Sequence, residues 1–255
     1  SEEWFWIVGG AGALTLLLGA YCAMFQNDLK GLLAYSTISH LGLITLLLGL
    51  NSPLAAVAAV FHILNHATFK ASLFMAAGII DHETGTRDMR RLGNLRRFMP
   101  MTSALAITAS LAMAGIPLLN GFLSKEMFFS EALGIDGAHA GMRIAVAVAA
   151  LLYGIFGVAY SLRFVHETFF GEGPRQLDAV PHEPPRWMRA PVAVLVLLCV
   201  AVGVFPAWTV APVLHAGAMA ILGQAMPAYS LAVWHGFNLP LLMSLCGIVG
   251  GIALY

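Results

Sequence analysis

The chain has 255 residues, 59% of them apolar and 10% charged, with thirteen cations balancing thirteen acidic groups. With glycine counted, about two-thirds of the chain is apolar, against about 45–50% in a soluble domain, so the composition is that of a chain in contact with lipid bilayer. Zero net charge and scattered cations leave no electrostatic footprint for nucleic acid. The three cysteines, Cys22, Cys199 and Cys246, lie inside apolar runs without metal-ligand spacing and imply neither a disulfide scaffold nor a zinc site.

Runs of about 18 or more mostly apolar residues can span a hydrocarbon core of about 30 Å as helices. The first covers 4–25. Ser1-Glu2-Glu3 before it lacks the basic flank of a signal peptide, and with no initiating methionine the chain reads as a fragment of a longer protein. The second run, 32–50, is interrupted only by hydroxyls and His40, and Asn51-Ser52-Pro53 turns the chain tightly into a third, 54–80. A fourth, 101–133, meets Pro117, Asn120 and Gly121, which predicts two half-helices joined by a break at 117–121. The fifth run is 144–165. A sixth begins near Pro191 and ends at Pro206, 208–222 is a short or interfacial helix, and 239–255 is the seventh. The expected fold is an all-α, polytopic transmembrane bundle of about seven crossings, one domain over 1–255 with an Arg-rich loop at 81–100 and a polar loop at 166–189.

One set of alternate loops receives Lys30, Arg87, Arg90, Arg91, Arg96, Arg97, Arg163, Arg175, Arg186 and Arg189, and the other receives only Arg143. Lysine and arginine accumulate in cytoplasmic loops. Both named loops are therefore expected in the cytoplasm, with the first residue outside.

The chemistry lies in ionisable residues placed inside the spans, where a charge costs a few kcal/mol or more. His62, His66 and Lys70 recur every four residues, so they share one face of the third helix and rise about 6 Å per step. Such a ladder of titratable groups can relay protons through internal water. The competing reading makes the histidines a hydrogen-bonded helix interface and sends the lysine toward the headgroups; Lys70 lies roughly 15 Å from Ile80 along the helix, deep for that reach. Lys125 follows the predicted break, at the positive dipole end of the second half-helix, where transporters place ion sites. Its alternative is an interfacial Lys125-Glu126 helix start, and Glu126 points to another face. Lys30, Ser36, Thr37, Ser39 and His40 form a polar edge on the second span. Lys30 reads either as an anchor with Asp28 as neighbour or as a group at a channel mouth, and His40 as a pathway or a packing residue. His215 and His235 flank helix ends outside this set.

These residues carry a resemblance. The stretch from Asn27 to Gly42 resembles the DLKxxLAYSTxSxxG signature of antiporter-like subunits, the family of Mrp-type cation/proton antiporters and the large membrane subunits of respiratory complex I. His62, His66, Phe69, Lys70, Leu73 and Phe74 match its HxxxHxxFKxxLF stretch, Thr86-Arg87-Asp88-Met89 with Leu92-Gly93 its TRDMxxLGxL loop, and Gly121 to Glu126 its GFxSKE segment. Asp81 to Asp88 and Trp234-His235-Gly236-Phe237-Asn238 are similar to the A-type subunits of the Mrp-type antiporters. The resemblance implies a protein that exchanges sodium or potassium for protons in a bacterial inner membrane, beside other membrane subunits, with no cofactor, no resident metal and no enzymatic activity of its own. It implies Lys125 as the central proton carrier, His62, His66 and Lys70 as a lateral relay, Lys30 and His40 along the approach, and Glu126 as a candidate partner. The family's upstream glutamate and lysine have no counterpart here, so the chain would hold the exit-like half of a proton route. Two rivals stand beside this reading: a complex I-type subunit driven by quinone chemistry elsewhere, and a scaffold whose buried polar groups only hold helices together.

Overall fold

The computed structural model describes residues 2–135, 141–175, 177, 180–223 and 227–255. The first helix, α1 (Glu2–Met24), carries a π-helical turn at Phe5–Gly9 and packs antiparallel on α2 (Leu29–Gly49). Glycines one seam apart allow that pairing. A Cβ on Gly12 would run into the backbone of Leu46, and one on Gly42 into that of Leu16. Small residues let membrane helices approach to where van der Waals packing holds them, and Ser39 Oγ adds a bond to the Leu16 carbonyl at 2.7 Å.

Local chemistry sets the next boundaries. Asp28 caps α2 by accepting from Gly31 N–H at 2.7 Å, and Ser52 with Pro53 starts α3 (Pro53–Thr84). Helix α3 has 32 residues, longer than the expected 54–80 run, and continues four residues into the 81–100 segment until Gly85 closes it at φ 69°. A 3₁₀ turn at Leu95–Arg97 leads into α4 (Pro100–Ala114). Its N-terminus is capped from far along the chain: the Glu183 carboxylate accepts from Met101 N–H at 2.8 Å and from Thr102 N–H at 3.0 Å.

The expected break is present. Helix α4 stops at Gly115 (φ 79°), Leu118 is held at φ 69°, and α5 (Asn120–Leu133) begins beyond them. Helix α6 (Arg143–Phe170) runs through a π-helical turn at His166–Phe170, so the 166–189 segment begins as helix; Gln176, Asp178 and Ala179 within it, like Ser1, lie outside the described residues. Helix α7 (Arg186–Val204) starts five residues before Pro191, which therefore sits in its second turn and forgoes only the bond to the Trp187 carbonyl. Two short helices, α8 (Pro206–Thr209) and α9 (Ala211–Leu222), precede α10 (Leu239–Leu254). Among the described residues five helices, α1, α2, α3, α6 and α7, are long and apolar enough to cross a membrane, while the segments expected as the other two crossings form the shorter helices α4, α5 and α10.

The cations segregate as the loops do. At one end Lys30 pairs with Asp81 at 2.8 Å, Arg87 with Asp28 at 3.1 Å, and Arg163 with Glu167 at 2.8 Å. Arg90 grips Asp88 and holds its carboxyl below the usual carboxylate range. The partner of Lys30 is thus Asp81 across the helix interface, and the neighbouring Asp28 serves Arg87 and the α2 cap instead. Arg143 begins α6 at the opposite end.

Candidate functional site

Three apolar clusters meet around the middle of α3. Phe69 belongs to one, Phe129 and Tyr153 to a second, and Phe61 with Leu123 to a third. Between them lie the basic side chains that the sequence singles out. His40 and His62 are each 1% exposed, Lys125 3% and Lys70 4%.

The imidazoles come from two helices. His40 of α2 shares a 2.9 Å hydrogen bond between its Nδ1 and His62 Nε2 of α3, with the rings stacked at 5.1 Å. His66, half-buried, sits 5.1 Å from the His40 ring and 6.2 Å from that of His62. Its Nε2 is buried without a hydrogen-bond partner among the described residues. His62 Nδ1 reaches Ser124 Oγ of α5 at 3.1 Å, and that hydroxyl is 3.3 Å from the Gly121 carbonyl it donates to. On the far side, the hydroxyls of Tyr153 and Tyr160, both on α6, lie 3.0 Å from His40 Nδ1 and 3.4 Å from His40 Nε2.

Ser124, His62, His40 and Tyr160 therefore form one hydrogen-bonded chain with two self-consistent proton orders. When Ser124 donates to Gly121, His62 Nδ1–H donates to Ser124, His40 Nδ1–H to His62 Nε2, and Tyr160 O–H to His40 Nε2. When Ser124 donates to His62, its bond to the Gly121 carbonyl is released and each of the other bonds reverses. A neutral imidazole accepts at one nitrogen and donates at the other, so switching between the two orders passes a proton along the chain.

The two lysines end on neutral groups. Lys70 donates to Ser36 Oγ in a short contact, to the Leu33 carbonyl at 3.2 Å, and toward Met113 Sδ at 3.3 Å. Lys125 donates to the Ala114 carbonyl at 3.0 Å and lies 5.8 Å from the Phe129 ring centroid. The sequence places Lys125 at the positive end of α5, but its side chain bridges the break and ends on the last carbonyl of α4, the negative end of the other half-helix. Two glycines make room for it. A Cβ on Gly154 would stand 3.6 Å from Lys125 Nζ, and one on Gly115, whose left-handed backbone turns the chain out of α4, would stand 2.7 Å from its Cδ.

The remaining expected residues lie apart from this interior. Lys30 is at the Arg-rich end, its side chain 36% exposed. Glu126 turns from Lys125 toward a cavity, where His235 Nδ1 stands 3.8 Å from its carboxylate. Sequence reasoning ranks His40 as a residue of the approach, whereas it is the hub of the imidazole set. It omits Tyr153, Tyr160, Ser124 and Met113. Ser124, beside Lys125, and Ser36, four residues before His40, are visible polar neighbours; the tyrosines of α6 share a helix face at a spacing of seven, but only the fold sets that face against His40.

A polytopic, all-helical membrane protein with a broken helix and a hydrogen-bonded basic interior is the class this geometry defines. The chain belongs to the family described as NADH:quinone oxidoreductase/Mrp antiporter, TM, which matches residues 1–157. It is 65% identical, over its whole length, to 25% of a Rhizobium meliloti protein named as the probable A/B subunit of a K(+)/H(+) antiporter. It is 42% identical, again over its whole length, to 35% of an Alkalihalophilus pseudofirmus protein named as the A subunit of a Na(+)/H(+) antiporter. A chain in the solved Mrp complex of Dietzia sp. DQ12-45-1b superposes with a TM-score of 0.87 at 37% identity, over 99% of this chain and 27% of that one. The chain thus spans about a quarter to a third of the length of these relatives.

Proposed function

We propose that this chain is the proton-conducting part of a secondary antiporter that exchanges a monovalent cation for protons across a bacterial inner membrane, with other membrane subunits completing the complex. The observation that carries the reading is that Lys70 and Lys125, both buried, bond only neutral acceptors among the described residues, in the same interior as a hydrogen-bonded imidazole chain. An uncompensated buried ammonium costs several kcal/mol. Taking up and releasing a proton relieves that cost and makes it useful.

In this scheme Lys125 is the central carrier. His62, His66 and Lys70 form the lateral relay, and His40 links it to the α6 tyrosines. Lys30, with Asp81, marks the mouth at the Arg-rich, cytoplasmic end, as the bias of cations to that side directs. Charge on one lysine disfavours charge on the next, so release at one site favours uptake at its neighbour. Relatives are named for both potassium and sodium, and the exchanged cation is one of these two.

Lys125→Ala in the whole complex tests the scheme: cation-driven proton exchange in vesicles falls to background while the complex assembles in wild-type amount. Wild-type exchange in that variant removes the assignment. The family description also covers NADH:quinone oxidoreductases, so a redox-driven proton pump is the second reading. Exchange driven by sodium or potassium alone, in vesicles without NADH or quinone, separates the two.

A further inference from the structure

A cavity of about 280 Å³ opens at the end of the molecule opposite the Lys30–Asp81 pair, beside the turn that joins α2 to α3. Helix α3 contributes Leu54 and Phe61 to its wall, α5 contributes Glu126, Ser130 and Glu131, and the segment before α10 contributes His235. The Glu126 side chain is only 10% exposed, and His235 Nδ1 stands 3.8 Å from its carboxylate. Glu131 accepts from Ser52 Oγ at 3.3 Å. Among the described lining residues there is no lysine or arginine.

Two carboxylates against one histidine, set in apolar walls, make a negative pocket. Low-dielectric walls focus such a field and concentrate cations, and the volume admits an ion with several of its waters, each occupying about 30 Å³. The cavity also adjoins the imidazole chain. Phe61 and Leu123 line it, and the residues that follow them in sequence, His62 and Ser124, hold each other at 3.1 Å behind that wall.

We propose that this cavity is a binding site at which a partly hydrated monovalent cation, sodium or potassium, competes with a proton for the Glu126 carboxylate, and that it opens to the side away from the Arg-rich end. The cation would rest against the Glu126 carboxylate, 3.8 Å from His235 Nδ1, with Glu131 as the second negative group. The proposal rests on the antiport reading for its role in exchange, but binding itself does not depend on the lysine relay.

The test uses the purified whole complex and dicyclohexylcarbodiimide, an apolar reagent that modifies protonated carboxyls, with peptide mass spectrometry to follow Glu126. At matched pH and ionic strength, sodium or potassium at a few times its dissociation constant slows labelling of Glu126 about threefold or more relative to N-methylglucammonium. Glu131→Gln weakens that protection. In vesicles, Glu126→Gln raises the KM for the cation by about tenfold. Equal labelling rates in all three salts overturn the proposal, as does failure of Glu126 to label where other buried carboxyls of the complex do. Protection that persists while Lys125→Ala exchanges normally retains the cation site and removes the relay; loss of exchange in Lys125→Ala without protection at Glu126 does the reverse.

Discussion

The two ends of the charge distribution are built on opposite rules. At the Arg-rich end four of the cations sit within salt-bridge distance of carboxylates: Lys30 of Asp81, Arg87 of Asp28, Arg90 of Asp88, Arg163 of Glu167. In the interior the two lysines meet a hydroxyl, a thioether and main-chain carbonyls. Paired, partly exposed charges fasten loops and set orientation, and each is worth about 0–1 kcal/mol. Buried ammonium groups with neutral partners reduce stability, so their presence needs a use that stability does not supply.

Substitutions can break this contrast. Lys70→Met replaces the ammonium with an apolar chain of similar length, which in a buried site is often neutral or stabilising. The expected outcome is loss of about tenfold or more in exchange, with the thermal midpoint of the complex unchanged or higher. A scaffold role would instead lower the midpoint and spare transport.

Tyr153→Phe has a smaller effect. It removes the hydroxyl 3.0 Å from His40 Nδ1 and leaves the ring packing against Phe128 in place. A hydrogen bond is worth about 0.5–1.5 kcal/mol, so exchange should fall about two- to tenfold, read as the initial rate of cation-driven pH change in vesicles. A wild-type rate would make Tyr153 a packing residue. Lys30→Gln is predicted to be the mildest. Its pair with Asp81 is about one-third exposed on both sides, and exchange should change by less than about twofold. A loss as large as that of Lys70→Met would move Lys30 into the conducting set and erase the contrast.

What the sequence reveals follows from how each feature is encoded. The His62, His66 and Lys70 face is a property of one helix and shows as a spacing of four. The break is signalled by Pro117, although the backbone turns at Gly115 and Leu118 and Asn120-Gly121 already open α5, and the pairing turn is written in Asn51-Ser52-Pro53. The hub role of His40 depends on side chains from α3 and α6 meeting it, and no local pattern announces partners 22 and 113 residues away. The same holds for Lys125. Its place in the chain predicts the positive end of a half-helix, but a four-carbon stem carried past Gly115 reaches the opposite dipole. Likewise Glu126 and His235 are brought together only by the fold.

The central claim is that the interior lysines are kept for proton transfer at the expense of stability. Lys125→Met in the intact complex tests it most directly, with exchange and thermal midpoint measured on the same preparation. The account predicts that exchange vanishes while the midpoint holds or rises. Retained exchange with a lowered midpoint would contradict it.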